Sequence, residues 1–157
     1  MIGGEGKGYG LPPPKNGSWR NIFFNEVKDK IDPSRVHFLG IVDYRALVNL
    51  FQISTIHVYL TYPFVLSWSL LEAMSCGCLI LGSKTPPVEE VINNNKNGLL
   101  VDFFDTKEIA EIVNNVLENP SKYEKLRTAA RNTIIEKYDL NKKSLPQQIK
   151  LINSMLG

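Results

Sequence analysis

Short continuous apolar runs alternate with helically spaced apolar positions along most of this chain. Trp19, Ile22, Phe23, Val27 and Ile31 follow a helical period and stop at Asp32-Pro33, which predicts a first helix over 19–31. VHFLG at 36–40 is a brief apolar run closed by glycine, and VDYRALVNLFQIS after it puts Tyr44, Leu47, Val48 and Phe51 on one face. That reads as a strand followed by a helix. The pair recurs as IHVYL at 56–60 before SWSLLEAMSCG at 67–77, and as CLILGS at 78–83 before PVEEVIN at 87–93. GLLV at 98–101 then precedes a helix from Thr106 to about Leu117. Over 120–157 two closing helices are expected: Tyr123, Leu126, Ala130, Ile134 and Tyr138 make one apolar stripe, and PQQIKLINSML at 146–156 makes another segment.

Continuous apolar strands alternating with helices predict an α/β fold, a doubly wound parallel (Rossmann-like) sheet covered on both faces. The length of 157 residues is about that of one domain, so 1–157 is expected to be a single unit. Within it, 1–18 is a Gly/Pro-rich loop apart from a strand end at Met1 and Ile2.

Composition narrows the function classes. With 43% hydrophobic and 22% charged residues the chain is neither disordered nor membranous in type. A net charge of +2 gives no electrostatic footprint for nucleic acid, so no nucleic-acid partner is expected. The longest apolar stretch, HVYLTYPFVLSWSLL, is interrupted by Pro63 and polar residues and falls short of the roughly 18 to 20 apolar residues of a spanning helix. The first residues lack the basic and apolar regions of a secretory signal, and a cytoplasmic location is the expectation. Cys76 and Cys78, the two cysteines, can build neither a disulfide framework nor a four-thiol zinc site, and they read as small core residues.

Ligands of open α/β sheets bind beyond the carboxyl ends of the strands, where helix N-termini present free N–H groups. GGEGKGYG at 3–10 looks like a phosphate loop but fits neither the G-x-x-x-x-G-K-[ST] nor the G-x-G-x-x-G register, and a surface loop is the plainer reading. At the turn into SWSLLEAMSCG an anion would meet the N–H groups near Leu66, Ser67 and Trp68, with Glu72 inside the first turns. Spacing alone leaves a second reading open, since Ser69 and Glu72 match a capping box in which Glu72 only satisfies a backbone donor. His37 and His57 read as structural, Lys84 is a candidate contact for a phosphate or sugar hydroxyl, and Glu89 and Glu90 suit the start of a short helix.

The segment LLEAMSCGCLILGSKTPPVEEVINNNKNGLLVDFFDTKEIAEIV resembles the C-terminal domain of glycosyltransferase family 4. That family's pattern runs through L-L-E-A-M-A-C-G, a strand, a short P-E-V-I helix, N-G-L-L-V and a D-x-x-x-L-A helix. VHFLG and the helix after it match just upstream, so the resemblance covers nearly the whole chain. It implies the nucleotide-sugar-binding C-terminal domain of a retaining GT-B enzyme, without its first strand and helix. The substrate would be a nucleoside diphosphate sugar, the acceptor a saccharide or lipid-linked molecule, and no metal or cofactor is expected. Glu72 takes the position of the family glutamate that binds the ribose hydroxyls, a task suited to a carboxylate with two acceptor oxygens. Leu66, Ser67 and Trp68 correspond to the amides that meet the diphosphate, and Ile41 and Val42 to backbone that reads the base.

Two departures stand out. The family's second glutamate, eight positions before the ribose glutamate, is replaced here by Phe64, with Val65, Leu66 and Ser67 where the family has G-F-G. The lost carboxylate is a charge-assisted acceptor worth roughly 1.5 to 3 kcal/mol, so the sugar is expected to be held differently or more weakly. Phe64 and Trp68 read as core packing residues, with sugar or partner-domain contact as the alternative. The family's diphosphate-binding Arg and Lys, and its acceptor domain, would precede this chain, so the 157 residues alone are expected to be inactive. That N-terminal domain would be a partner and the route to any peripheral membrane association. Without it, an apolar face near Tyr62, Phe64 and Trp68 is expected to self-associate. A non-catalytic nucleotide-binding module and a scaffold domain without a site are the rival readings.

Overall fold

The computed structural model describes residues 1–3, 12–14, 17–62 and 65–156. Contacts gather into two compact units, Met1–Leu47 and Val48–Gly157.

In the first unit, α1 (Trp19–Val27) is capped by Ser18, whose side chain accepts from the Asn21 N–H, and it gives way to a 3-10 turn over Lys28–Lys30. The helical run over 19–31 thus ends as a tighter turn. The segment 36–40 runs alongside Met1–Gly3, with Leu39 N–H donating to Met1 O at 2.9 Å and Gly3 N–H to Gly40 O at 2.9 Å. These bonds satisfy the extended backbone, but the ladder is too short to make a strand, so the strand expected over VHFLG is absent. Phe23, Phe24, Val27, Val36 and Phe38 wall an open apolar cavity of about 860 Å³ in this unit. α2 (Tyr44–Ile53) begins where Asp43 Oδ1 accepts the Ala46 N–H at 2.8 Å.

The second unit holds a parallel sheet of three strands in the order β1 (His57–Tyr59), β2 (Ile80–Ser83) and β3 (Leu99–Val101). Every residue of β2 is buried, which requires cover on both faces. Leu79, Leu81, Leu99 and Val101 point to one face and pack with Val116, Ile109 and Ile112 of α5 (Thr106–Glu118). The opposite face carries Ile80, Gly82 and Leu100, against the turn of α4 (Pro86–Glu89) and the residues after it. Gly82 is required there, because a Cβ would lie 2.9 Å from Val88 Cγ1. The doubly wound α/β arrangement read from the alternation is therefore the one observed.

α3 (Trp68–Ser75) buries Leu70, Ala73 and Met74 completely and packs against α6 (Glu124–Lys137). It ends in a Schellman motif: Gly77 takes φ 73°, its N–H donates to Met74 O at 2.9 Å, and Cys78 N–H reaches Ala73 O at 3.0 Å. The Cys-Gly-Cys sequence is thus a helix stop. Cys78 is buried, and desolvation pushes its thiol up to about 11, in keeping with a core residue. Arg127 Nε donates to Gly77 O at 2.9 Å and Arg131 Nη1 to Ser75 O, so α6 supplies cations to carbonyls at the α3 C-terminus.

The Asn-rich stretch 93–98 is a hydrogen-bonded knot. Asn97 is buried, accepts from the Asn93 N–H at 2.7 Å, and donates from Nδ2 to Val91 O and Thr133 Oγ1, each at 3.0 Å. Asn94 Oδ1 accepts the Leu100 N–H at 3.0 Å. α7 (Leu145–Leu156) follows a five-residue π turn over Leu140–Ser144 and shows Ile149, Ile152 and Leu156 to solvent. Among the described residues no helix is long and apolar enough to cross a membrane.

Gly77→Ala forces a Cβ into the left-handed region and should lower stability by about 1 to 2 kcal/mol in urea unfolding. His57 is half-buried beside Phe51 and Tyr59, its Nε2 is buried without a partner among the described residues, and desolvation holds its pKa below 6.5. As pH falls below 6.5, the unfolded chain takes up a proton that the folded chain refuses, so stability should drop on acidification. The urea midpoint is expected to fall between about pH 7.5 and about pH 5.5. His57→Phe should shrink that fall, and an unchanged slope in the variant would remove His57 from the account.

Candidate functional site

The carboxyl ends of β1, β2 and β3 and the start of α3 lie within the second unit, and most candidate residues fall there. Ser67 is the N-cap of α3, in extended geometry, with its Oγ accepting the Ser69 N–H at 3.3 Å and lying 2.9 Å from Ser69 Oγ. The capping box on Ser69 and Glu72 therefore does not form. With Ser67 as cap, the position three residues on belongs to Leu70, which is buried. Glu72 sits more than a turn into the helix, half-buried, and among the described residues its carboxylate has no hydrogen-bond or ion-pair partner. Satisfying a helix-end donor does not explain this glutamate.

The amides at the α3 start are unequal. Ser67 N–H donates to Tyr59 Oη at 3.0 Å and is taken. Trp68 N–H is the first helical donor, and neither it nor the Leu66 N–H has an acceptor among the described residues. Tyr59 was not singled out from the sequence, yet its hydroxyl pins the helix start to β1 and, having accepted one hydrogen bond, still has its own O–H to donate. Trp68 is 83% exposed, which corrects the expectation that it packs the core. An eight-residue helix buries only the face carrying Leu70, Ala73 and Met74, and Trp68 lies off it. Phe64 lies outside the described residues, as does most of the glycine-rich segment 3–10.

The β1 and β2 ends are tied together through Ser83. Its Oγ accepts the Thr61 N–H at 2.9 Å and donates to Thr61 O at 2.7 Å. Lys84 follows, exposed, with no acidic partner among the described residues. Thr85 is buried, and its Oγ1 has no hydrogen-bond partner among the described residues. After β3, Phe103 and Phe104 pack edge-to-face with Tyr62, an aromatic cluster the sequence reading missed. The signal was present as FFD directly after GLLV, where a strand meets its ligand-side loop.

The base-reading candidates belong to the first unit. Gly40 adopts φ 64°, and after it Ile41 is 87% exposed and Val42 half-buried. His37 is exposed and His57 half-buried, and among the described residues neither belongs to a cluster of ligand type. Among the described residues no three His, Cys, Asp or Glu side chains come together as a metal site.

Comparison with known proteins bears on the fold and the family. An uncharacterized glycosyltransferase of Methanocaldococcus jannaschii is 29% identical over 123 residues, which is 78% of this chain and 31% of that protein. Anabaena HepE, solved in complex with UDP, matches 87% of this chain and 37% of its own at a TM-score of 0.77 and 22% identity. The C-terminal domain of LpcC, a glycosyl transferase group 1 family protein from Francisella tularensis, matches 82% of this chain and 67% of its own at a TM-score of 0.71 and 20% identity. The two structures establish the shared fold. The chain spans about a third of the length of the curated relatives it matches. The family model of the glycosyl transferases group 1 covers residues 2–133, and the chain belongs to that family.

Proposed function

We propose that this chain is the donor-binding part of a glycosyltransferase and holds a nucleoside diphosphate sugar at the α3 edge of its sheet. The observation that carries the reading is Glu72: half-buried, without a partner among the described residues, and released from helix capping because Ser67 does that work. Two carboxylate oxygens on one side chain match two neighbouring ribose hydroxyls. The Trp68 and Leu66 amides and the positive pole of α3 then meet the diphosphate, with the exposed Lys84 as a further cation at the same edge.

The transfer itself is proposed for the whole protein, with retention of anomeric configuration and an acceptor held mainly by parts outside these residues. Stabilising the departing diphosphate is the main task of such a reaction. Backbone amides and ammonium groups serve it without a bound metal. The 157 residues alone are proposed to be inactive toward common sugar nucleotides. A scaffold domain with no nucleotide site leaves the unpartnered Glu72 unexplained.

The test is a calorimetric titration of the chain with uridine, guanosine and adenosine diphosphates. Uridine comes first, because HepE was solved with UDP. One nucleotide should bind, and Glu72→Ala should weaken it by about tenfold or more, the loss of a charge-assisted hydrogen bond. The same substitution should leave the urea midpoint unchanged, whereas Ser67→Ala should lower stability by about 1 kcal/mol through its cap. Equal affinity in the Glu72 variant, or no binding at millimolar nucleotide, would overturn the reading.

A further inference from the structure

Three aromatic rings meet where β1 and β3 release their chains. The Tyr62 ring lies 5.9 Å from Phe103 and 5.8 Å from Phe104, and those two lie 4.9 Å apart, all edge-to-face. Tyr62 is 63% exposed and Phe104 71%, so the cluster turns broad ring surface to solvent.

Its supports are fixed. Tyr62 follows Thr61, which is held through both backbone groups by Ser83 Oγ. Phe104 N–H donates to Asp102 Oδ1 at 2.8 Å, and Thr106 N–H returns to Phe104 O at 3.0 Å. Lys84 N–H donates to Val101 O at 2.7 Å, which brings the Lys84 backbone beside the start of the same loop. Folding gains little from leaving such apolar area in water, and a rigid turn presenting it suits contact with something outside the chain.

The rim says what kind of occupant fits. Asp102 and Asp105 are exposed carboxylates on this loop, each accepting a backbone N–H through Oδ1, and the exposed Lys84 joins the loop through its backbone. An anionic lipid surface would meet more negative than positive charge here, and a second copy of the same face would set carboxylate against carboxylate. A pyranose ring suits both features. Its C–H face lies flat on an aromatic ring, and its hydroxyls donate to carboxylate oxygens.

We infer that Tyr62, Phe103 and Phe104 form a sugar-stacking platform at the ligand edge of the sheet, with Asp102, Asp105 and Lys84 meeting the hydroxyls. The placement rests on the donor-site reading above. The ring can come from the donor's own sugar or from a saccharide acceptor.

The experiment is saturation-transfer NMR with paired titrations, using UDP, UDP-glucose and maltotetraose on the wild-type chain and on Phe104→Ala, Phe104→Leu and Phe104→Trp. Phe104 is largely exposed, so these variants should fold. Sugar-ring protons of at least one saccharide probe should receive saturation. Phe104→Ala should weaken that probe by about threefold to tenfold while UDP alone binds as before. Phe104→Trp should restore the contact and Phe104→Leu should not, which separates a flat face from mere apolarity. Dependence confined to UDP-glucose assigns the donor's sugar, and dependence with maltotetraose assigns an acceptor. If UDP binds and no sugar probe depends on Phe104, the platform is wrong and the nucleotide reading stands. If none of the uridine, guanosine and adenosine diphosphates binds and no sugar does, both fall. Phe104-dependent binding to vesicles of phosphatidylglycerol and phosphatidylcholine, without any sugar response, would replace the saccharide by a lipid surface.

Discussion

The second unit is organised by the seating of one short helix whose two ends are treated differently. A buried helix must find partners for its last carbonyls, and α3 finds them in its Schellman turn and in the guanidinium groups of Arg127 and Arg131. Its first turn is left partly open, with Ser67 Oγ and Tyr59 Oη taking two groups and Trp68 N–H taking none among the described residues. The negative pole is thus met by two guanidinium groups, while the positive pole lies at the edge proposed above for the diphosphate. Glu72, on the middle of the same helix, is positioned by burial of its neighbours Leu70, Ala73 and Met74.

The order of strands and helices could be read from the chain because each β-run is apolar throughout and each helix has its own stripe. β2 shows why: with both faces covered, all four of its residues must be apolar or small. What could not be read depended on choices between near-equal local options. Ser67 and Ser69 are both good caps, and the decision falls to Tyr59, whose hydroxyl reaches the Ser67 N–H across eight positions. VHFLG has strand composition, but an extended segment becomes a strand only with a long enough neighbour, and Met1–Gly3 offers a few bonds. Asn97 looks like loop in sequence because its partners Val91 and Thr133 lie on either side, the latter 36 residues away.

The candidate site was legible in the same uneven way. Glu72 stood out through the motif around it, and the structure removes the competing structural role. Trp68 read as core because aromatic residues in apolar stretches usually are, yet eight helical residues bury a single narrow face. Phe103 and Phe104 passed unnoticed because a strand followed by polar Asp102 looks like an ordinary exit, and only the approach of Tyr62 from β1 makes the rings a cluster.

The arginine contacts of α6 also bear on how the protein is made. Arg127 reaches back 50 residues to Gly77, and Arg131 reaches back 56 to Ser75. During synthesis the helix carrying Glu72 leaves the ribosome first and waits, at about 5 to 20 residues per second, several seconds for the cations that complete its far end. Until then its carbonyls rely on water and its apolar face lacks α6. The nascent chain therefore passes through an interval with an exposed Leu70–Met74 surface, and the last quarter of the sequence closes that interval.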